Sequence, residues 1–147
     1  KGDEELFTLK NDKAELNIRG NRFVLSNNTK IRFMGDLNFN VNKGTYIELR
    51  EGSLLVQAVE VVNIMTEHGI VKLNGNNKRV LVIIEEEYVR CISVDGETQV
   101  FPKHNSRVIY RLEPCSYVDL SNQGMGSDQT IISTTKLNSL ISGFEVK

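Results

Sequence analysis

His68 and His104 are the two histidines of the chain, and with Cys91, Cys115 and the Glu85-Glu86-Glu87 run they are its candidates for metal or acid–base chemistry. A zinc or iron site needs several such groups converging. His68 is followed at once by Gly69, and His104 lies in the loop-like tract Pro102-Lys103-His104-Asn105, so both read as turn or surface residues. Alternation puts Glu85 and Glu87 on one face of a strand, where a carboxylate pair with split pKa values could exchange protons. An acidic run at the end of an apolar strand reads instead as a solvated turn that keeps the sheet soluble. Nucleophilic catalysis needs a Ser or Cys beside a positioned base, and the chain has no G-x-S-x-G elbow. Gly124-Met125-Gly126 lacks the lysine and the strand-to-helix context of a phosphate loop. Asn27-Asn28-Thr29 fits a glycosylation sequon of a length that chance supplies. Tyr46, Tyr88, Tyr110 and Tyr117 could stack on sugar rings, although tryptophan, the preferred stacking residue, is absent. No catalytic, cofactor-binding or metal-ligating residue is assigned, and the chain is not expected to be an enzyme.

The elements that would position such groups are short strands. Between Thr45 and Leu120, runs of Val, Ile, Leu and Tyr alternate with polar residues. Glu51-Gly52, His68-Gly69, Asn74-Gly75 and Asp95-Gly96 interrupt them at near-regular intervals. Tyr46 to Arg50, Ser53 to Ala58, Ile70 to Leu73, Tyr88 to Val94, Val108 to Leu112 and Tyr117 to Leu120 read as strands. The apolar run Val80 to Ile84 reads as a central one, and Val59 to Met65 as a strand buried on both faces. Asp95-Gly96 predicts a type I′ hairpin joining its two flanking strands. Leu137, Leu140, Ile141 and Phe144 fall at helical spacing, with Ser133 or Thr134 to cap the start and Gly143 the end. Ile131 and Ile132 could instead begin one more strand. Long helical periods are missing between the strands, which argues against parallel βαβ units.

The expected fold is therefore all-β: many short antiparallel or meandering strands forming a twisted β-solenoid or sandwich, with a short C-terminal helix. Residues 1–13 read as an N-terminal extension, 14–120 as the β domain, and 121–147 as a linker and C-terminal segment carrying the helix. At 147 residues the chain can bury a core without staples. Apolar residues make up 39% and aromatics only 7%, so that core is mostly aliphatic. The formal charge of −1 lacks the positive excess that phosphate binding requires, which argues against nucleic acid as a partner. The densest basic group, Lys103, His104, Arg107 and Arg111, reads as a solvated face. No apolar run approaches the ~20 residues that span a bilayer. A chain opening at Lys1 with no charged-then-apolar leader reads as a processed piece of a longer protein. Cys91 and Cys115 fit either one disulfide or two small buried side chains.

Several segments carry a family pattern. Ile47-Glu48-Leu49-Arg50-Glu51-Gly52-Ser53-Leu54-Leu55-Val56 is similar to "apolar-x-Leu-x-x-Gly-x-apolar-x-Val". Ile64-Met65-Thr66-Glu67-His68-Gly69-Ile70-Val71-Lys72-Leu73-Asn74-Gly75 is similar to "Val-x-Thr-Pro-x-Gly-x-Val-x-Val-x-Gly-Thr". Val80-Leu81-Val82 and Val94-Asp95-Gly96 stand where a further strand and a glycine recur, and Leu112-Glu113-Pro114-Cys115-Ser116-Tyr117-Val118 is similar to a closing "Leu-x-x-Gly-x-x-Val". Glu67, Asn76 and Cys115-Ser116 depart from the pattern. From about Leu25 to Leu120 the chain resembles the FecR-like periplasmic domain family. The resemblance implies an extracytoplasmic bacterial module, periplasmic or extracellular, without enzymatic activity or cofactor. Its partner would be another envelope protein, engaged by strand addition along an exposed edge. In the founding members the domain relays signals to a membrane-bound sigma-factor regulator. Open sheet ends also allow self-association. Two other readings stand beside this one: a carbohydrate-binding or surface-adhesion module with a shallow groove lined by Tyr46, Tyr88 or Tyr110, and a small jelly-roll enzyme using His68 and His104.

Overall fold

The computed structural model describes residues 4–9, 12–34, 44–103, 108–121 and 129–144. They form β1 (Glu4–Phe7), β2 (Ala14–Ile18), β3 (Asn21–Leu25), β4 (Lys30–Phe33), β5 (Thr45–Glu51), β6 (Ser53–Ala58), β7 (Val62–Thr66), β8 (Gly69–Leu73), β9 (Lys78–Ile84), β10 (Tyr88–Asp95), β11 (Thr98–Pro102), β12 (Tyr110–Leu112), β13 (Ser116–Ser121), β14 (Thr130–Ile131) and α1 (Thr134–Ser142). Two seven-stranded sheets result. Sheet A has the order β1-β4-β5-β7-β8-β11-β12, and sheet B the order β14-β13-β10-β9-β6-β3-β2. The chain thus lays down strands in one sheet and then crosses to the other, and β1, within the stretch read as an extension, belongs to sheet A.

The architecture is a sandwich. All pairings are antiparallel except β5 with β7, which run parallel because β6 between them lies in the opposite sheet. Alternation along each strand decides what faces inward. Ile47, Leu49, Ile64 and Val71 of sheet A meet Phe23, Leu54, Val56 and Val82 of sheet B in a core from which water is excluded. Burying each such side chain contributes about 1.5–3 kcal/mol before the cost of ordering it. The Val80–Ile84 run is apolar throughout because β9, the middle strand of sheet B, is covered on both faces. Its inner side chains join the core, while outward Leu81 packs with Val24, Leu55, Ile92 and Val94 beneath α1.

Helix α1 forms where its periodicity places it. The Ser133 hydroxyl accepts the Lys136 N–H at 3.2 Å, the expected N-cap. Gly143 ends the helix in right-handed geometry, at φ −65°, with its N–H bonded to the Leu140 and Ile141 carbonyls. Leu137, Ile141 and Phe144 close the second apolar cluster. The alternative for Ile131 is also realised, since Thr130–Ile131 pairs with β13 before the helix begins.

Two expectations are corrected. Asp95-Gly96 does not close a hairpin: β10 lies in sheet B and β11 in sheet A, so the turn carries the chain between layers. Of its two residues Gly96 alone has positive φ, at 72°. The two-residue hairpin with positive φ at both positions is Arg19-Gly20 (φ 55° and 87°), joining β2 to β3. Val59 to Met65 is not one buried strand either. Val59 is 43% exposed, and Asn21 Oδ1 accepts the N–H groups of Val59 (2.8 Å) and Glu60 (3.0 Å), which turns the chain before β7 begins.

Candidate interaction surfaces

The sequence candidates for chemistry are scattered. His68 is buried in the β7–β8 turn, and His104 lies outside the described residues. Among the described residues no three His, Cys, Asp or Glu side chains come together as a metal site. Glu85, Glu86 and Glu87 are exposed in the β9–β10 turn. Cys91 points into the inter-sheet core and Cys115 packs in the cluster on the other face of sheet B; both thiols are free. Burial pushes the Cys91 thiol well above the usual range, which makes it a poor nucleophile. Gly124-Met125-Gly126 and Arg107 lie outside the described residues. Lys103 is exposed at the end of β11, and Arg111 reaches Glu97 at 3.9 Å. No helix among the described residues is long and apolar enough to cross a membrane.

Thr29 of the sequon is a structural hub. It is fully buried where β3 crosses to β4; its N–H donates to Thr8 Oγ1 (2.9 Å), and its Oγ1 accepts the Ser53 N–H (3.1 Å).

The four tyrosines do not share a face. Tyr46 lies on sheet A, and Tyr110 packs against the inter-sheet core from β12. Tyr88 and Tyr117 lie on the outer face of sheet B, flanking Arg90, whose guanidinium carbon is 5.5 Å and 4.4 Å from their ring centres. Tyr46, Tyr88 and Tyr110 therefore do not line one common groove.

Two surfaces remain. The outer face of sheet A carries one register row across six strands: Glu5, Arg32, Glu48, Met65, Ile70 and Phe101. Half of the row is ionic, with Arg32 3.5 Å from Glu48; the other half is apolar. The apolar half lies along an open groove of about 800 Å³ bounded by Arg50, Glu67, Lys103 and Val108.

The second surface is the end of the sandwich where β1 and β2 are the terminal strands of their sheets. Between them is a hollow of about 340 Å³ lined by Leu6, Leu16, Ile18, Ile31 and Phe33. Leu6, one of its lining side chains, is left 37% exposed. Hairpin geometry fixes which backbone groups face out. The residues flanking a two-residue loop form the hydrogen-bonded pair, so Ile18, Leu16 and Ala14 bond to β3 while Glu15 and Asn17 present N–H and C=O outward. The opposite end is bridged by a side chain. There Gln129 accepts from the Glu113 N–H and the Ser116 hydroxyl and donates to the Arg111 carbonyl at 3.4 Å, bridging β12 to β13.

This hollow escaped sequence reasoning. The alternation Leu16-Asn17-Ile18 marks a strand but carries no sign of its place in a sheet.

No family model matches the chain, and no curated protein does. Its fold is shared with two solved structures of candidate anti-sigma factors from Parabacteroides distasonis. Each has a TM-score of 0.76, at 15% and 16% identity, and the matches cover 96% and 95% of this chain. The chain spans 65% of the length of the chain in each of those structures. At such identity the likeness is one of fold.

Proposed function

We propose that the chain is a non-catalytic interaction and signalling module of FecR-like type that works outside the cytoplasm of a bacterium and binds another envelope protein. The observation that carries this reading is the sandwich architecture shared with the two Parabacteroides distasonis structures, described as those of a candidate anti-sigma factor. The segments with the FecR-like pattern, Leu25 to Leu120, supply β4 to β13 and the end of β3, the bulk of that architecture. The surfaces support it too: what the described residues offer is exposed sheet face and unpaired strand edge, suited to contact with a protein.

The test is recovery of a partner. The purified chain, immobilised and exposed to envelope extract of the source cell, retains one envelope protein in stoichiometric amount, and that protein in pure form binds back. Partners drawn only from the cytoplasm, or a turnover activity in the pure chain, would overturn the reading.

A further inference from the structure

We propose that the β1–β2 end of the sandwich is a strand-addition site. It takes an extended partner segment with apolar residues at alternate positions and carboxylates at its ends. The proposal rests on the interaction-module reading and specifies its site.

Three observations converge. Glu15 and Asn17 turn their backbone groups away from β3, and among the described residues β2 pairs with no strand but β3. A segment laid along them gains main-chain hydrogen bonds, the source of affinity in this mode of recognition. Its inward side chains then stand opposite Ala14, Leu16 and Ile18 and enter the hollow against Leu6, Ile31 and Phe33; its outward ones stay in water beside Glu15 and Asn17. The hollow therefore demands period-two apolarity of the incoming segment.

Charge sets the ends. Glu15 is held by Arg22 at 3.0 Å, and that hydrogen bond keeps its carboxyl below the usual range. Lys13 and Arg19 bracket β2, and no ion pair joins either to another described residue. Asp12 offsets part of the charge at Lys13, so Arg19 is the stronger attractor for a partner carboxylate. At the opposite end Gln129 already bonds one carbonyl of β12, that of Arg111.

The probe is a labelled nine-residue synthetic peptide that alternates Val with Thr and carries Asp at each end, titrated by fluorescence anisotropy. Saturable binding is expected. Glu15→Pro removes one outward N–H and the ion pair to Arg22 while leaving the backbone bonds to β3, and it should weaken binding about tenfold, with Glu15→Gln as the control for the lost charge. Leu16→Lys should abolish it by placing a charge in the hollow, and Ile131→Ser, at the opposite end, should leave it unchanged. Thermal melts confirm folding of each variant. No saturable binding, or binding that Glu15→Pro and Leu16→Lys leave intact, overturns the proposal. So does a dimer in sedimentation that Glu15→Pro dissolves, because the edge would then belong to a second copy. Failure here leaves envelope-partner recovery to judge the module reading separately.

Discussion

Arg90 and Asp119 face each other across β10 and β13 and share two hydrogen bonds, Nε to Oδ1 at 2.7 Å and Nη2 to Oδ2 at 2.9 Å. The hydrogen bonds to Asp119 raise the Arg90 pKa further above its already high value, so the guanidinium stays charged. With Tyr117 stacked on the guanidinium, the clamp fixes the register of β13 beside its neighbour. A double-mutant cycle with Arg90→Ala and Asp119→Ala should give a coupling of roughly 1–2 kcal/mol, more than an ordinary surface pair because the contact is bidentate and partly buried. Arg90→Lys should lose most of it. Coupling near zero in urea unfolding would contradict this role.

Gly52 turns the chain from β5 to β6 at φ +85°, and a Cβ there would come within 2.6 Å of the Thr29 Cα. Gly52→Ala should cost about 2 kcal/mol or more, since both backbone and space forbid the side chain. Thr29→Val should cost about 1–3 kcal/mol by taking the Oγ1 acceptor from the Ser53 N–H. Chemical denaturation of both variants checks this, and a neutral Gly52→Ala would show the corner to be loose.

The strand runs could be read from the sequence because alternation and β-branched residues are local signals. Tyr46 to Arg50 lies within β5, Val80 to Ile84 within β9, and the helix begins at the cap expected of Ser133. Pairing could not be read. Asp-Gly and Arg-Gly both tolerate positive φ, and whether the chain then folds back or crosses to the other sheet depends on strands far away in sequence. The open end escaped for the same reason. Leu16 and Ile18 look like any half-buried strand until β1 is found facing them across a gap.

Helix α1 closes the outer face of sheet B through Leu137, Ile141 and Phe144. Leu137→Ala should cost about 2–3 kcal/mol and increase binding of a hydrophobic dye as Leu81 and Ile92 become exposed. A variant of wild-type stability with no added dye binding would mean that the helix does not shield that face.

Cys91 and Cys115 should differ in reactivity. At pH 8 a thiol reagent should modify Cys115 at once and Cys91 only on unfolding. Burial raises the Cys91 pKa above its unfolded value, so the folded state holds that proton more tightly. The stabilising contribution is complete below the unfolded thiol value of about 8.5 and falls as pH rises above it. Between pH 8 and 10 the wild type should lose more stability than Cys91→Val, as measured by urea unfolding. Equal losses, or equal thiol rates, would contradict the buried placement.

Amide hydrogen exchange at Glu15 and Asn17, measured on the free chain and on its complex with the recovered envelope partner, tests the binding account most directly. Both N–H groups should exchange fast in the free chain and become protected in the complex, while the outer face of sheet A is unaffected. Protection confined to Met65, Ile70 and Phe101, with Glu15 and Asn17 still exchanging freely, would contradict it.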